Sequence, residues 1–304
     1  MMSRFSSFVL ALLLLVVSGQ VMAAGTCTSA AAGALDGTAD GVPWAVAGAA
    51  GTGCSNLTGA IVAPGAANVL SIGAHAIGAP SAATISVSSV AFTAAGSLTL
   101  TAKTLNVGTT LNTTNGVVTV GAGGTLSVTG ALTNGGSLSV NGGTLILGNN
   151  LNNTGGTLTL GTGTVKILGS STITVAAIAA INVLDLSTIA TGSTITFAGA
   201  FNNTVTTLTL PTANPVGGAA KTVIFKVPNA NTLQIPVGTI SSCAVVGAAG
   251  MYVISATGVI SVTGTQAAGD NVTCTVPAAT APSTTSAPIF STKEKAAVFS
   301  QEVK

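Results

Sequence analysis

Between Gly96 and Gly163 the chain repeats itself every twenty residues, and a period of that length constrains the architecture before any single element is assigned. The segments Gly96-Ser-Leu-Thr-Leu100, Gly116-Val-Val-Thr-Val120, Gly136-Ser-Leu-Ser-Val140 and Gly156-Thr-Leu-Thr-Leu160 start at equal intervals. A second series lies inside each unit: Lys103-Thr-Leu-Asn-Val107, Gly124-Thr-Leu-Ser-Val128, Gly143-Thr-Leu-Ile-Leu147 and Gly163-Thr-Val-Lys-Ile167. A polar corner completes the unit, as in Leu111-Asn-Thr-Thr-Asn-Gly116, Leu132-Thr-Asn-Gly-Gly136 and Leu151-Asn-Asn-Thr-Gly-Gly156.

Apolar residues recur here at a spacing of two, whereas a helix needs three and four. Thr, Val and Ile favour strands, and each Gly in a helix interior would cost roughly 1 kcal/mol. Successive strand residues point to opposite faces, so Leu98, Val118, Leu138 and Leu158 belong to one side and Thr99, Thr119, Ser139 and Thr159 to the other. Stacked coils turn these positions into files: an apolar lining, an outer cover of Thr and Ser, and Gly and Asn at positive-φ corners. The expected fold is all-β, a parallel β-solenoid (β-helix) of about 20 residues per coil with disulfide-stabilised caps. Looser echoes, such as Thr172-Ile-Thr-Val175 and Thr207-Leu-Thr-Leu210, extend the coils. From Ile61 to Val262 the reading predicts on the order of ten turns and roughly 50 Å of rod.

The flanks divide the chain further. Residues 1–23 read as a signal peptide: Arg4, an apolar run from Phe8 to Val17, and small residues before a cleavage point after Ala23 or Ala24. That run is too short to span a bilayer, and the expected location is extracellular, at the cell surface. An N-terminal cap over 24–60 is followed by the solenoid over 61–210. C-terminal coils or a β cap occupy 211–277, where Pro211, Pro215, Pro228 and Pro236 restrict strands to edges and corners. A linker and tail cover 278–304, with apolar Ala296, Phe299 and Val303 spaced for a docking helix or strand.

Composition removes several function classes. Only 5% of the 304 residues are charged and the formal net charge is +2, so no basic surface for nucleic acid exists. Loss of Arg4 with the leader leaves the chain nearly neutral. One Trp and one Tyr do not build the aromatic girdles of a membrane barrel. The regular coils hold no Asp or Glu and only Lys103 and Lys166, which starves acid–base or glycosidic chemistry; the expectation is no enzyme, no cofactor and no catalytic residue. No metal site is expected either. Asp36-Gly-Thr-Ala-Asp40-Gly41 begins like a calcium loop but has Ala47 where the closing Glu belongs, and His75 has no ligand spacing to any Cys. His75 reads as a partly buried corner residue.

All four cysteines lie outside the repeat: Cys27 and Cys54 before it, Cys243 and Cys274 after it. In an exported chain they allow three pairings. The sequence-local pairing, Cys27 with Cys54 and Cys243 with Cys274, is favoured because solenoid ends expose strand edges that need fixed caps.

Thr26-Cys-Thr with Cys54, then Val69-Leu-Ser-Ile-Gly-Ala-His75, Ala83-Thr-Ile-Ser-Val87 and the G-x-L-x-V coils, resemble bacterial cell-surface repeat proteins. The likeness, over about residues 60 to 210, is to the coils of filamentous haemagglutinins and autotransporter passengers, without a translocator barrel. The resemblance implies an adhesive surface role.

The residues themselves favour a secreted structural subunit of an extracellular filament or cell-surface coat, its partner being further copies of itself. Assembly is expected through the solenoid ends and the tail, with Ile289, Phe290, Phe299 and Val303 as contact residues. The alternative is an adhesin that binds glycans or host surfaces, for which Trp44 and Tyr252 are the available aromatic platforms. Two minor readings are ice binding through Thr-x-Thr segments and an amyloid-like fibre.

Overall fold

The computed structural model describes residues 26–29, 32–35, 44–47, 68–80, 82–175, 180–199, 202–211, 221–227, 232–235, 242–247, 252–255, 259–262 and 270–276. They form an all-β, parallel β-solenoid with three rows of strands per coil through its regular part. The first row is a separate six-stranded sheet: Gly33–Ala34, Ala76–Gly78, Ser97–Leu100, Val117–Val120, Ser137–Val140 and Thr157–Thr159. The other two rows belong to one sheet, because the long strands Thr84–Phe92 and Thr104–Asn112 each run through both. The second row continues through Thr125–Val128, Thr144–Leu147 and Thr164–Ile167; the third through Ala131–Thr133, Leu151–Asn153 and Ser171–Val175.

The registers place the expected files as the period of two dictates. Leu98 pairs with Val118, Val118 with Leu138 and Leu138 with Leu158, and all four are buried. In the second row Ile85, Leu105, Leu126, Leu145 and Val165 form the matching inner file. In the third, Cys27 stands at the head of the file that continues through Leu70, Val90 and Leu111. A slip of one residue would turn each file to solvent and forfeit roughly 1.5–3 kcal/mol per side chain, so burial holds the register.

The rod is shorter than the repeat arithmetic suggested. The six-stranded row marks about six regular coils rather than ten, because the first row ends at Thr157–Thr159 and beyond it parallel stacking continues only in the other two rows among the described residues. Lys221–Lys226 and Thr232–Gln234 still add in parallel to Ser193–Gly199 and Asn202–Thr209. Their other edges are covered antiparallel, by Asn271–Val276 and Val259–Val262 respectively. Cys243–Val246 then lies outside Asn271–Val276, and Tyr252–Ile254 outside Val259–Val262. At the opposite end Trp44–Ala47 runs antiparallel on Thr26–Ser29.

Glycine plays two roles that the repeat did not separate. Left-handed corners occur at Gly123, Gly142 and Gly161, with φ of 69°, 78° and 43°, and at Ala102 with φ 54°. The glycines that open the first-row strands are not of this kind; they are needed for close approach. A Cβ on Gly116 would lie 2.0 Å from the Phe92 ring, and one on Gly136 would lie 2.2 Å from the Gly116 carbonyl. No described Asn has positive φ. Instead Asn112 and Asn152 shape corners with their side chains, each Oδ1 accepting the backbone N–H of Thr114 or Thr154.

Candidate assembly interface

Three surfaces of the solenoid can meet a partner: its outward files and its two ends. On the second row the file next to the apolar lining consists of Thr84, Thr104, Thr125, Thr144 and Thr164, five threonines in unbroken register. Thr84 is exposed and the others are half-buried. Each opens its strand, as in Gly124-Thr and Gly143-Thr, so the signal was present in the second repeat series. The Thr-x-Thr segments singled out in the sequence do not form one array. Thr157 and Thr159 stand in the first row, Thr172 and Thr174 in the third, and Thr207 and Thr209 in the second.

The adjacent outward file runs Ser86, Asn106, Ser127, Ile146, Lys166, Asp185. Asn106 donates to Ser86 Oγ across 3.2 Å, and Lys166 Nζ stands 3.3 Å from Asp185 Oδ2. Asp185, isolated in the sequence between two leucines, thus meets the repeat's own cation one coil away. Burial disfavours its carboxylate, but hydrogen bonds from Ser187 together with the Lys166 ammonium outweigh that cost and hold the carboxyl below its ordinary value.

The C-terminal end is closed by two short strands, Cys243–Val246 and Tyr252–Ile254, each paired on one side among the described residues. Val246 and Val253, both 47% exposed, are two of the four large hydrophobic side chains exposed among the described residues. Neither strand contains a charged residue or a proline, the usual means of blunting a sheet edge. Tyr252 is buried, with its hydroxyl donating to the Asp270 carbonyl at 3.1 Å; burial, reinforced by the Asp270 charge, raises its phenol above the usual value. It is therefore an anchor of the cap and no stacking platform for a glycan. The Trp44 side chain lies outside the described residues.

Cys243 and Cys274 form a disulfide between directly opposed residues of antiparallel strands, as the sequence-local pairing required. Cys27 is also disulfide-bonded. Cys54 lies outside the described residues, as do Ile289, Phe290, Ala296, Phe299 and Val303 of the tail and the Asp36–Asp40 segment. His75 sits at the corner between Val69–Ile72 and Ala76–Gly78, half-buried, with Nδ1 3.0 Å from the buried Ser29 Oγ. Ser29 Oγ in turn accepts the Gly73 N–H at 2.8 Å, which ties the first coil to the second. Among the described residues no three His, Cys, Asp or Glu side chains gather as a metal site, and no helix is long and apolar enough to cross a membrane.

Fold and surface together define a β-solenoid protein with disulfide-stapled ends. No protein-family model, curated protein or solved structure matches the chain.

Proposed function

We propose that the chain is a secreted structural subunit of an extracellular filament or cell-surface coat, self-assembling through its solenoid ends and its tail. The observation that carries this reading is the C-terminal end: two uncharged strands, each with one strand neighbour among the described residues, that carry the exposed Val246 and Val253. A sheet edge offers backbone donors and acceptors to any strand that approaches, and a head-to-tail contact that does not close yields an open fibre. Low charge removes the repulsion that keeps such ends apart. The leader, the cysteines and the likeness to bacterial surface coils support an extracellular location. A structural rather than catalytic role agrees with outward files of Thr, Ser and Asn.

Negative-stain microscopy and sedimentation of the secreted protein over a range of concentrations test the reading. Unbranched fibres whose mass grows with concentration are the expected result; a monomer at every concentration overturns it.

The second reading, an adhesin, is favoured by the five-member threonine file, which presents hydroxyl and methyl groups about 4.8 Å apart to an ordered partner such as a glycan array. Retention of monomeric protein on glycans or cells, lost when Thr125 and Thr144 become Lys, is its expected outcome.

A further inference from the structure

We propose that Asn141 is a site of spontaneous covalent modification: the backbone nitrogen of Gly142 closes on its carboxamide, and water then turns residue 141 into aspartate or isoaspartate. The inference stands apart from the filament reading and needs no partner, enzyme or cofactor. Asn followed by Gly permits such closure best, because glycine has no side chain to hinder attack by its own nitrogen and its backbone turns freely. The chain holds three such pairs, Asn115-Gly116, Asn134-Gly135 and Asn141-Gly142, all within the regular coils.

The structure treats the three differently. Asn134 is buried and its carboxamide is held at both atoms, Oδ1 by the Thr113 hydroxyl and Nδ2 by Asn153 Oδ1 and the Thr157 carbonyl. Gly116 donates its N–H to the Thr113 carbonyl at 2.9 Å, and a nitrogen so engaged does not readily give up its proton to attack Asn115. Asn141 meets neither restraint. It and Gly142 are exposed at the corner between Ser137–Val140 and Thr144–Leu147. Among the described residues neither the Gly142 N–H nor Asn141 Nδ2 has a hydrogen-bond partner. Asn141 Oδ1 accepts the Thr162 hydroxyl from the next coil at 3.3 Å, a donor placed where negative charge develops when Cγ is attacked.

The step balances with water alone. Hydroxide removes the Gly142 amide proton, the nitrogen attacks Asn141 Cγ, and the Cγ–Nδ2 bond breaks as Nδ2 takes a proton from water and leaves as ammonia. Water then opens the cyclic imide at either carbonyl, giving aspartate or, with an extra methylene in the backbone, isoaspartate. The product carboxylate keeps the Thr162 hydroxyl as its donor, and it is the first acidic side chain within residues 96–163, which hold no Asp or Glu. The change falls at a corner, outside the paired registers of Leu138 with Leu158 and Leu145 with Val165, so the rod keeps its files while it gains a negative charge with age.

The test incubates the full-length protein at mildly alkaline pH, folded and in concentrated urea, and follows the three pairs by peptide mass spectrometry, with isoaspartate separated from aspartate by chromatography. In the folded protein Asn141 is expected to convert about threefold or more faster than Asn115 and Asn134, and in urea that lead is expected to vanish. A smaller lead in the folded protein overturns the proposal. A lead of the same size in urea assigns the selection to local sequence and overturns it as well. Thr162→Val removes an exposed hydroxyl and leaves the apolar lining intact, so it reads the donor's part with circular dichroism as the folding control. Conversion of Asn141 slowed by about twofold or more upholds that part, and any smaller change removes Thr162 from the reaction.

Discussion

Asn134 donates through Nδ2 to the Oδ1 of Asn153 one coil further on, inside a tube lined mostly by Leu, Ile and Val. Its own Oδ1 accepts the Thr113 hydroxyl from the preceding coil, and its Nδ2 also reaches the Thr157 carbonyl at 2.9 Å. All three side chains are buried, so the ladder is a stack of polar groups closed off from water. It ends abruptly: Asn153 pairs with Val175 in the next coil, and its Nδ2 is buried with no hydrogen-bond partner.

That asymmetry yields opposite outcomes for neighbouring substitutions. Asn134→Val strands the Thr113 hydroxyl and the Asn153 Oδ1, and is expected to cost roughly 2–4 kcal/mol. Asn153→Val removes an unsatisfied amide, leaves Asn134 its bond to Thr157, and is expected to stay within about 1 kcal/mol of wild type. Urea denaturation of the two variants checks the order; equal losses would contradict it.

Gly116 has no room for a methyl group, since an added Cβ would meet the Phe92 ring at 2.0 Å. Gly116→Ala is expected to destabilise by about 1–3 kcal/mol or more, seen as a lower melting temperature. Restoring space with Phe92→Leu in the same chain recovers part of the loss, which a thermal melt of the double variant reads directly.

Ala102 carries the left-handed backbone that its stacked counterparts meet with glycine. Relief of its roughly 1–2 kcal/mol of steric cost exceeds the extra chain entropy of glycine. Ala102→Gly is therefore expected to stabilise by about 0.5–1 kcal/mol, measured by chemical denaturation, although elsewhere in a strand protein the same change destabilises.

The Lys166–Asp185 pair gives the rod an acid-sensitive contact. The folded carboxyl titrates below its ordinary value of 3.8, so the stabilisation is fully present above that pH and is lost as pH falls through the lower folded value. Lys166→Met should lower stability by about 0.5–1 kcal/mol at neutral pH and by progressively less toward pH ~2. Melting curves of both proteins at the two pH values show whether the gap closes.

The alternation of Leu98, Val118, Leu138 and Leu158 with Thr and Ser was enough to specify a parallel solenoid, because side-chain direction along a strand has a period of two and identical coils must superpose. The pairing of Cys243 with Cys274 followed from where the two stand relative to the coils. Contacts between coils were another matter. The period of two already sets Asn134, two residues after Leu132, inside the tube and Asn112, one residue after Leu111, outside it, but no single coil shows that Asn134 meets Thr113 and Asn153 there. The meeting of Lys166 with Asp185 and the antiparallel covering of the C-terminal rows depend on register between coils of unequal length. Such registers come from the summed burial of whole files, a property of the stacked chain that no single repeat contains.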